Sequence, residues 1–217
     1  MPDPVLIIAP HALDEALGCG GTIARHADEG DQIHVLVLFG DGTGRDSARR
    51  IAAARAAKVL GSVAPRFCGF AENRSDSIPL VEIVAAIERM AGEVNPKRVY
   101  VSHGGNLNVD HQNAFRATVT ALRPVPGSSV RAIYAYEILS STDWAPKGMG
   151  EPFRAVRFVD ISRQFERKLE ALAAYGGEMR PAPHSRSLEN VRALAVLRGA
   201  TAGFPMGEAF EVVRVLD

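Results

Sequence analysis

The sequence predicts a Rossmann-like α/β fold: a parallel, partly mixed sheet with helices on both faces and an α/β extension at its C-terminal end. Three observations predict it. Short apolar runs alternate with helical patterns through the first 140 or so residues, the mark of βαβ units. Those runs are continuously apolar, as strands are when both of their faces are covered. After about Ser140 the rhythm changes to one loop, one strand, two helices and a last strand.

Val5–Ala9 is a short apolar run stopped by Pro10, and Gly18–Gly21 opens a helical pattern that continues to Asp28. Gln32–Phe39 is β-branched and apolar and ends at the turn Gly40-Asp41-Gly42. Ser47–Leu60 is Ala/Arg-rich with helical spacing and is closed by Gly61. Arg66–Phe70 reads as a third strand, Leu80–Ala91 as an amphipathic helix, Arg98–Ser102 as a fourth strand, His111–Leu122 as a helix and Ala132–Ile138 as a fifth strand. Ser141–Pro152 is a loop containing Trp144. A strand (Val156–Ile161), two helices (Gln164–Ala174 and Ser187–Arg198) and a strand near Ala209–Val215 complete the chain. With no repeat, low-complexity tract or linker, residues 1–217 read as one domain.

Apolar residues make up 47% of the chain, enough for a sizeable core, and 25 Lys plus Arg balance 25 Asp plus Glu. That balance argues against nucleic acid or an anionic membrane surface and for a small-molecule partner. Cys19 and Cys68 are too few for a disulfide framework and read as small buried residues. Without a basic N-terminal region or a run of 18 apolar residues, the expectation is a cytoplasmic protein with no membrane segment. A homo-oligomer is compatible with the sequence.

Histidine is scarce, with six in the chain. His26 and His34 fall inside a helix and a strand and read as packed or solvated side chains. The other four fall at strand ends or in loops. His11 and Asp14 follow the first strand, His103 ends the fourth, His111 precedes the next helix beside Asp110, and His184 lies in the loop Met179–Ser185. In a doubly wound sheet the first and fourth strands flank the point where strand order reverses, and ligands bind there. His11, Asp14 and His111 can therefore converge as two imidazoles and a carboxylate, a half-shell for Zn²⁺ or another divalent ion with one position open. Asp110 is placed to anchor a ligand from behind. Two plainer readings stand beside this one: His-x-x-Asp pairs occur by chance, and His11 could simply cap a helix. The glycines also invite a dinucleotide reading, but Gly18-x-Gly20-Gly21 falls short of G-x-G-x-x-G and lies too far beyond the strand. Close packing of the first helix on the sheet explains them better.

Ala9-Pro10-His11-Ala12-Leu13-Asp14-Glu15, continuing through Leu17-Gly18-Cys19-Gly20-Gly21-Thr22-Ile23-Ala24, resembles the first motif of the LmbE / PIG-L-like metal-dependent N-deacetylases. His103-Gly104-Gly105-Asn106-Leu107-Asn108-Val109-Asp110-His111 resembles the second, and the resemblance continues to Glu208-Ala209-Phe210-Glu211, covering nearly the whole chain. The resemblance implies a metal held by His11, Asp14 and His111, a Rossmann-like fold and removal of an acyl group, usually acetyl, from an amino-sugar nitrogen. It implies that Arg74, Asp76 and His184 face the substrate.

Two positions depart from the pattern. Where the family carries a first aspartate as general base, this chain has Leu13, and where many members place a histidine three residues before the last ligand, it has Asn108. A positioned base contributes roughly 10²- to 10⁴-fold, so its loss implies slower hydrolysis without loss of the metal site. His103 is the first candidate to stand in, ahead of Glu15, Asp110 and His184; its plain reading is a hydrogen-bonded loop residue. Asn108 can hydrogen-bond to a substrate but not titrate. The functional expectations are thus a zinc-dependent amidohydrolase acting on an N-acylated sugar or sugar-derived precursor, a metal-binding homologue or carbohydrate-binding protein without turnover, and, last, a nucleotide-dependent enzyme.

Overall fold

The computed structural model describes residues 2–40, 45–148 and 150–217, with the side chains of residues 45 and 46 left aside. Asp41 and Gly42 of the expected turn, and Met149 of the expected loop, lie outside the described residues. The strands are β1 (Pro4–Ala9), β2 (Gln32–Phe39), β3 (Arg66–Phe70), β4 (Arg98–Ser102), β5 (Ala132–Tyr136), β6 (Arg157–Asp160) and β7 (Gly207–Val215). The helices are α1 (Asp14–Asp28), α2 (Arg45–Leu60), α3 (Leu80–Val94), α4 (Val109–Ala121), α5 (Phe165–Ala173) and α6 (Leu188–Ala202), with a 3-10 turn at Ser75–Ser77.

All seven strands form one sheet in the order β3-β2-β1-β4-β5-β7-β6. The first five are mutually parallel, and β7 runs antiparallel to both β5 and β6. The expected mixed sheet is therefore present, its antiparallel part confined to the C-terminal extension. Each central strand is apolar throughout because it feeds two cores. In β1, Val5, Ile7 and Ala9 pack with α1, α2, α5 and α6, while Leu6 and Ile8 pack against α3 and α4.

The glycine run does structural work inside α1. Cys19 leaves helical geometry (φ −142°, ψ 24°), so the helix breaks and restarts there. Glu208 of β7 accepts hydrogen bonds from the backbone N–H groups of Gly21 and Thr22 (2.9 and 2.7 Å). Lys168 of α5 donates from Nζ to the Leu17 carbonyl (2.9 Å) and to Glu208 (2.6 Å), so backbone groups on both sides of the break are satisfied by one buried ion pair. A Cβ on Gly18 would come within 2.1 Å of the Tyr136 ring, and one on Gly21 within 2.7 Å of Ile161. Close packing, not a nucleotide, accounts for these glycines. The helix begins at Asp14, four residues before the glycine run where the sequence pattern first becomes helical.

Candidate metal centre

β1 and β4 are neighbours, and the helices that follow them pack on opposite faces of the sheet, which opens a crevice at their carboxyl ends. The turn after β1 delivers His11 and Asp14. The first turn of α4 delivers Asp110 and His111, its N-terminus capped by the Asn108 side chain, which accepts from Asp110 N–H (2.8 Å).

Asp14 sits between the two imidazoles. Its Oδ2 lies 3.3 Å from His11 Nδ1 and 3.3 Å from His111 Nε2, and the imidazole rings are 5.3 Å apart. One ligand atom from each of the three residues lies within 4.8 Å of the others. The outward nitrogens are held from behind. His11 Nε2 donates to Asp110 Oδ2 (2.8 Å), and the Asn106 amide donates to His111 Nδ1 (3.0 Å). Asp110 is fully buried and also accepts from the backbone N–H groups of Asn73 (2.6 Å) and Ser75 (3.2 Å). The nitrogen–oxygen donor set, the short spacing and the carboxylate behind His11 fit a divalent ion such as zinc.

The electrostatics follow from this packing. Burial works against a charged His11, but the Asp110 and Asp14 carboxylates outweigh it and raise the imidazole to about 9. Burial disfavours ionised Asp14, yet the two imidazoles hold its carboxyl well below the usual range. Glu15 points away from the ligands: it accepts from Tyr175 O–H (2.5 Å) and Leu13 N–H (3.0 Å), and burial pushes it up to about 7. A second grouping, His26 with Glu29 and Asp31, is interleaved with cations: Arg25 pairs with Glu29, and Arg98 with Asp31.

Beside the ligands lies a cleft of about 290 Å³. Leu13, only 3% exposed, lines it with φ +107°, a backbone conformation that a leucine rarely adopts. Arg49 reaches in from α2, held by Glu178 (3.0 Å twice) and Glu72 (2.8 Å). Asn73 and Asn108 form another edge, with Asn108 donating to Asn73 Oδ1 (2.9 Å). Ser140, Ser141, Trp144, Arg180 and Arg186 form the far wall.

Of the residues singled out from the sequence, His11, Asp14, Asp110, His111 and Asn108 come together here. His103 does not line this cleft. Its Nδ1 pairs with Glu211 (2.6 Å) and its Nε2 donates to the Glu151 carbonyl (2.9 Å), and it faces a separate cavity of about 600 Å³. The geometry therefore corrects the expectation of His103 as stand-in base: both ring nitrogens are engaged elsewhere. His184 stands behind Trp144, ring edge to ring face at 5.3 Å, with Nδ1 accepting from Arg186 N–H (3.0 Å), and is not in the lining. Arg74, just before the 3-10 turn, and Asp76, on it, are exposed and also outside the lining. The hydrogen bonds from Asn73 and Ser75 to Asp110 draw that loop's backbone inward, and Asn73, at φ +57°, takes the expected place of Arg74. Arg49, Glu72 and Glu178 were not singled out, because an arginine in an Ala/Arg-rich helix carries no local sign that it faces a cleft.

Comparison with known proteins points to one family. The family model for PIG-L, GlcNAc-PI de-N-acetylase, matches residues 6–122, which contain both motifs. A Bacillus cereus protein described as a probable N-acetyl-alpha-D-glucosaminyl L-malate deacetylase 2 is 30% identical over 191 residues, covering 79% of this chain and 81% of its own. The fold is shared with the N,N'-diacetylchitobiose deacetylase of Pyrococcus horikoshii (TM-score 0.77, 20% identity, 97% of this chain and 83% of that one). It is shared equally with the 4-carboxy-2-hydroxymuconate hydratase of Pseudomonas putida (TM-score 0.75, 22% identity, 100% of this chain and 99% of that one).

Proposed function

The chain belongs to the PIG-L (LmbE-like) family, and from that premise we propose that it is a zinc-dependent amidohydrolase removing an acetyl-type group from the nitrogen of an amino sugar or sugar-derived precursor. The observation that carries this is the convergence of His11, Asp14 and His111 beside an open cleft. The fold by itself would not suffice, since it also serves a hydratase. The proposal takes residues 1–217 as one catalytic domain acting in the cytoplasm on a small molecule. The continuous sheet supports the first part, and two free cysteines accord with the second.

A divalent ion held by the three ligands would supply Lewis acidity towards an amide carbonyl and towards water. The chain does the positioning. Asp110 and Asn106 fix the ring planes of His11 and His111, so their inner nitrogens face Asp14. Arg49 is locked by two carboxylates and presents a fixed cation at the cleft edge. Trp144, half exposed, offers an aromatic face to the apolar side of a sugar ring. Leu13 makes the wall next to Asp14 apolar and brings no proton acceptor there. Among the described residues, the cleft carboxylates besides Asp14 are Glu72 and Glu178, both tied to Arg49.

Leu13 favours one second reading, a metal-binding homologue without turnover. Elemental analysis of the purified protein, combined with acetate release from N-acetylglucosamine derivatives at one equivalent of zinc, separates the two. Stoichiometric metal with acetate release supports the amidohydrolase. Stoichiometric metal with no release from any N-acyl sugar supports the second reading, and no metal binding at all overturns both.

A further inference from the structure

The far wall of the cleft holds two buried donors with nothing to donate to. Ser141 Oγ and Arg186 Nε are both shielded from solvent, and neither has a hydrogen-bond partner among the described residues. Ser141 is only 5% exposed, and both residues line the same cleft as the ligands. A buried polar group without a partner costs about 1–3 kcal/mol, so two in one cleft call for a common explanation.

The backbone brings these donors together. The loop after β5 and the loop before α6 are tied by Ser140 N–H donating to Ser185 Oγ (2.9 Å), and the next residue of each loop, Ser141 and Arg186, lines the cleft. Ser185 Oγ in turn donates to Asp143, and Ser140 adopts φ +69° to make the turn. Within the second loop, Arg180 N–H donates to the Arg186 carbonyl (3.3 Å), and both arginines line the cleft. Arg180 is exposed, lines the cleft, and its guanidinium has no hydrogen bond or ion pair among the described residues. The nearest carboxylate to Arg186 is Glu178 at 3.9 Å, already held by Arg49 through two hydrogen bonds.

We propose that Ser141, Arg186 and Arg180 form a receptor for an anionic group, carboxylate or phosphate, carried by the substrate as a substituent of its sugar. This deepens the deacetylase reading and rests on it for the identity of the sugar. A hydroxyl, an Nε–H and a guanidinium fork on one wall match the several acceptor lone pairs of such a group. A neutral hydroxyl offers fewer acceptors and leaves the second arginine unpaired.

The test compares zinc-loaded protein on N-acetylglucosamine, N-acetylglucosamine 1-phosphate and N-acetylmuramic acid, which offer no anion, a phosphate and a carboxylate. The expected result is a kcat/KM at least tenfold higher for one of the two anionic sugars, and which one it is tells phosphate from carboxylate. Arg186→Gln and Ser141→Ala should bring that ratio to within threefold of one. Arg180→Gln, at an exposed position that cannot upset folding, should lower it several-fold. Calorimetric binding of glucosamine 1-phosphate and muramic acid, each compared with glucosamine, reads the same site without turnover. Preferential binding of an anionic sugar that Arg186→Gln abolishes supports the receptor even if no sugar is deacetylated, an outcome that sinks the deacetylase reading alone. Equal turnover and equal binding of neutral and anionic sugars overturn the receptor and leave the deacetylase reading standing.

Discussion

The two walls of the cleft are built differently. The ligand wall comes from the first residues after β1 and from the first turn of α4, and its polar groups are tied into hydrogen bonds: Asp14 to His11, His11 to Asp110, Asp110 to two backbone amides, Asn106 to His111. Behind it, the broken helix α1 is braced by the buried Lys168–Glu208 pair. The far wall comes from two loops and carries an exposed tryptophan, a positive-φ serine and two buried donors without partners among the described residues. On the proposed reading, the contrast teaches that one wall is organised to hold an ion in a fixed place, whereas the other keeps its bonding capacity for the substrate. Substitutions should therefore divide by wall: ligand-wall changes move stability and metal affinity, far-wall changes move substrate affinity.

The largest effect is expected where the ligand wall is braced. Glu208→Ala leaves Lys168 buried without its counter-charge and strands the Gly21 and Thr22 amides, so denaturant unfolding should show a loss of about 3–5 kcal/mol. A loss below about 1 kcal/mol would mean that the helix break needs no brace. Next comes metal retention. Asp110→Ala frees His11 to rotate, and chelator competition should show metal affinity lowered about 10- to 100-fold while the fold persists. Unchanged affinity would show that Asp110 does not orient His11.

Leu13→Asp sharpens the comparison from inside the ligand wall. Aspartate tolerates φ > 0 better than leucine does, and the side chain would put a carboxylate next to Asp14 in the cleft. Acetate release from an N-acetylated amino sugar should rise by at least about tenfold, towards the roughly 10²-fold that marks the lower end of what one well-positioned base contributes. A fall in rate would show that the native chain relies on another acceptor in its cleft, with Glu72 and Glu178 the carboxylates to replace next. The smallest change in stability is expected on the far wall. Trp144→Ala, at a side chain 50% exposed, should alter unfolding free energy by less than about 0.5 kcal/mol while raising KM several-fold. A drop in kcat at unchanged KM would place Trp144 outside substrate binding.

The ligand wall was legible in the sequence because its signals are local. His11 and Asp14 lie three residues apart directly after a strand, Asp110 and His111 are adjacent at a helix start, and the order of strands and helices puts those two places side by side. The far wall was not. The sequence drew attention to Arg74, Asp76 and His184 in the right loops, but which residue of a loop faces inward depends on backbone hydrogen bonds made to distant groups. Asp110 drew in Asn73, and Ser185 held Ser140 so that Ser141 turned to the cleft. His103 shows the same limit: its place at a strand end was legible, its engagement with Glu211 and Glu151 was not.

The sequence by itself determined the α/β class, nearly every element, the parallel sheet and the candidate ligand set His11, Asp14 and His111, because continuous apolar runs and short-range spacing act through contacts near in the chain or through topology with few alternatives. Tertiary structure alone decided that the glycine run is a braced helix break, that Leu13 lines the cleft at a positive φ, and that Arg49, Ser141, Arg180 and Arg186 face it. The helix break rests on Glu208, the placement of Arg49 on Glu178 and that of Ser141 on Ser185, all partners far away in the chain, and no local pattern of residues encodes which distant group a side chain or a backbone amide will meet.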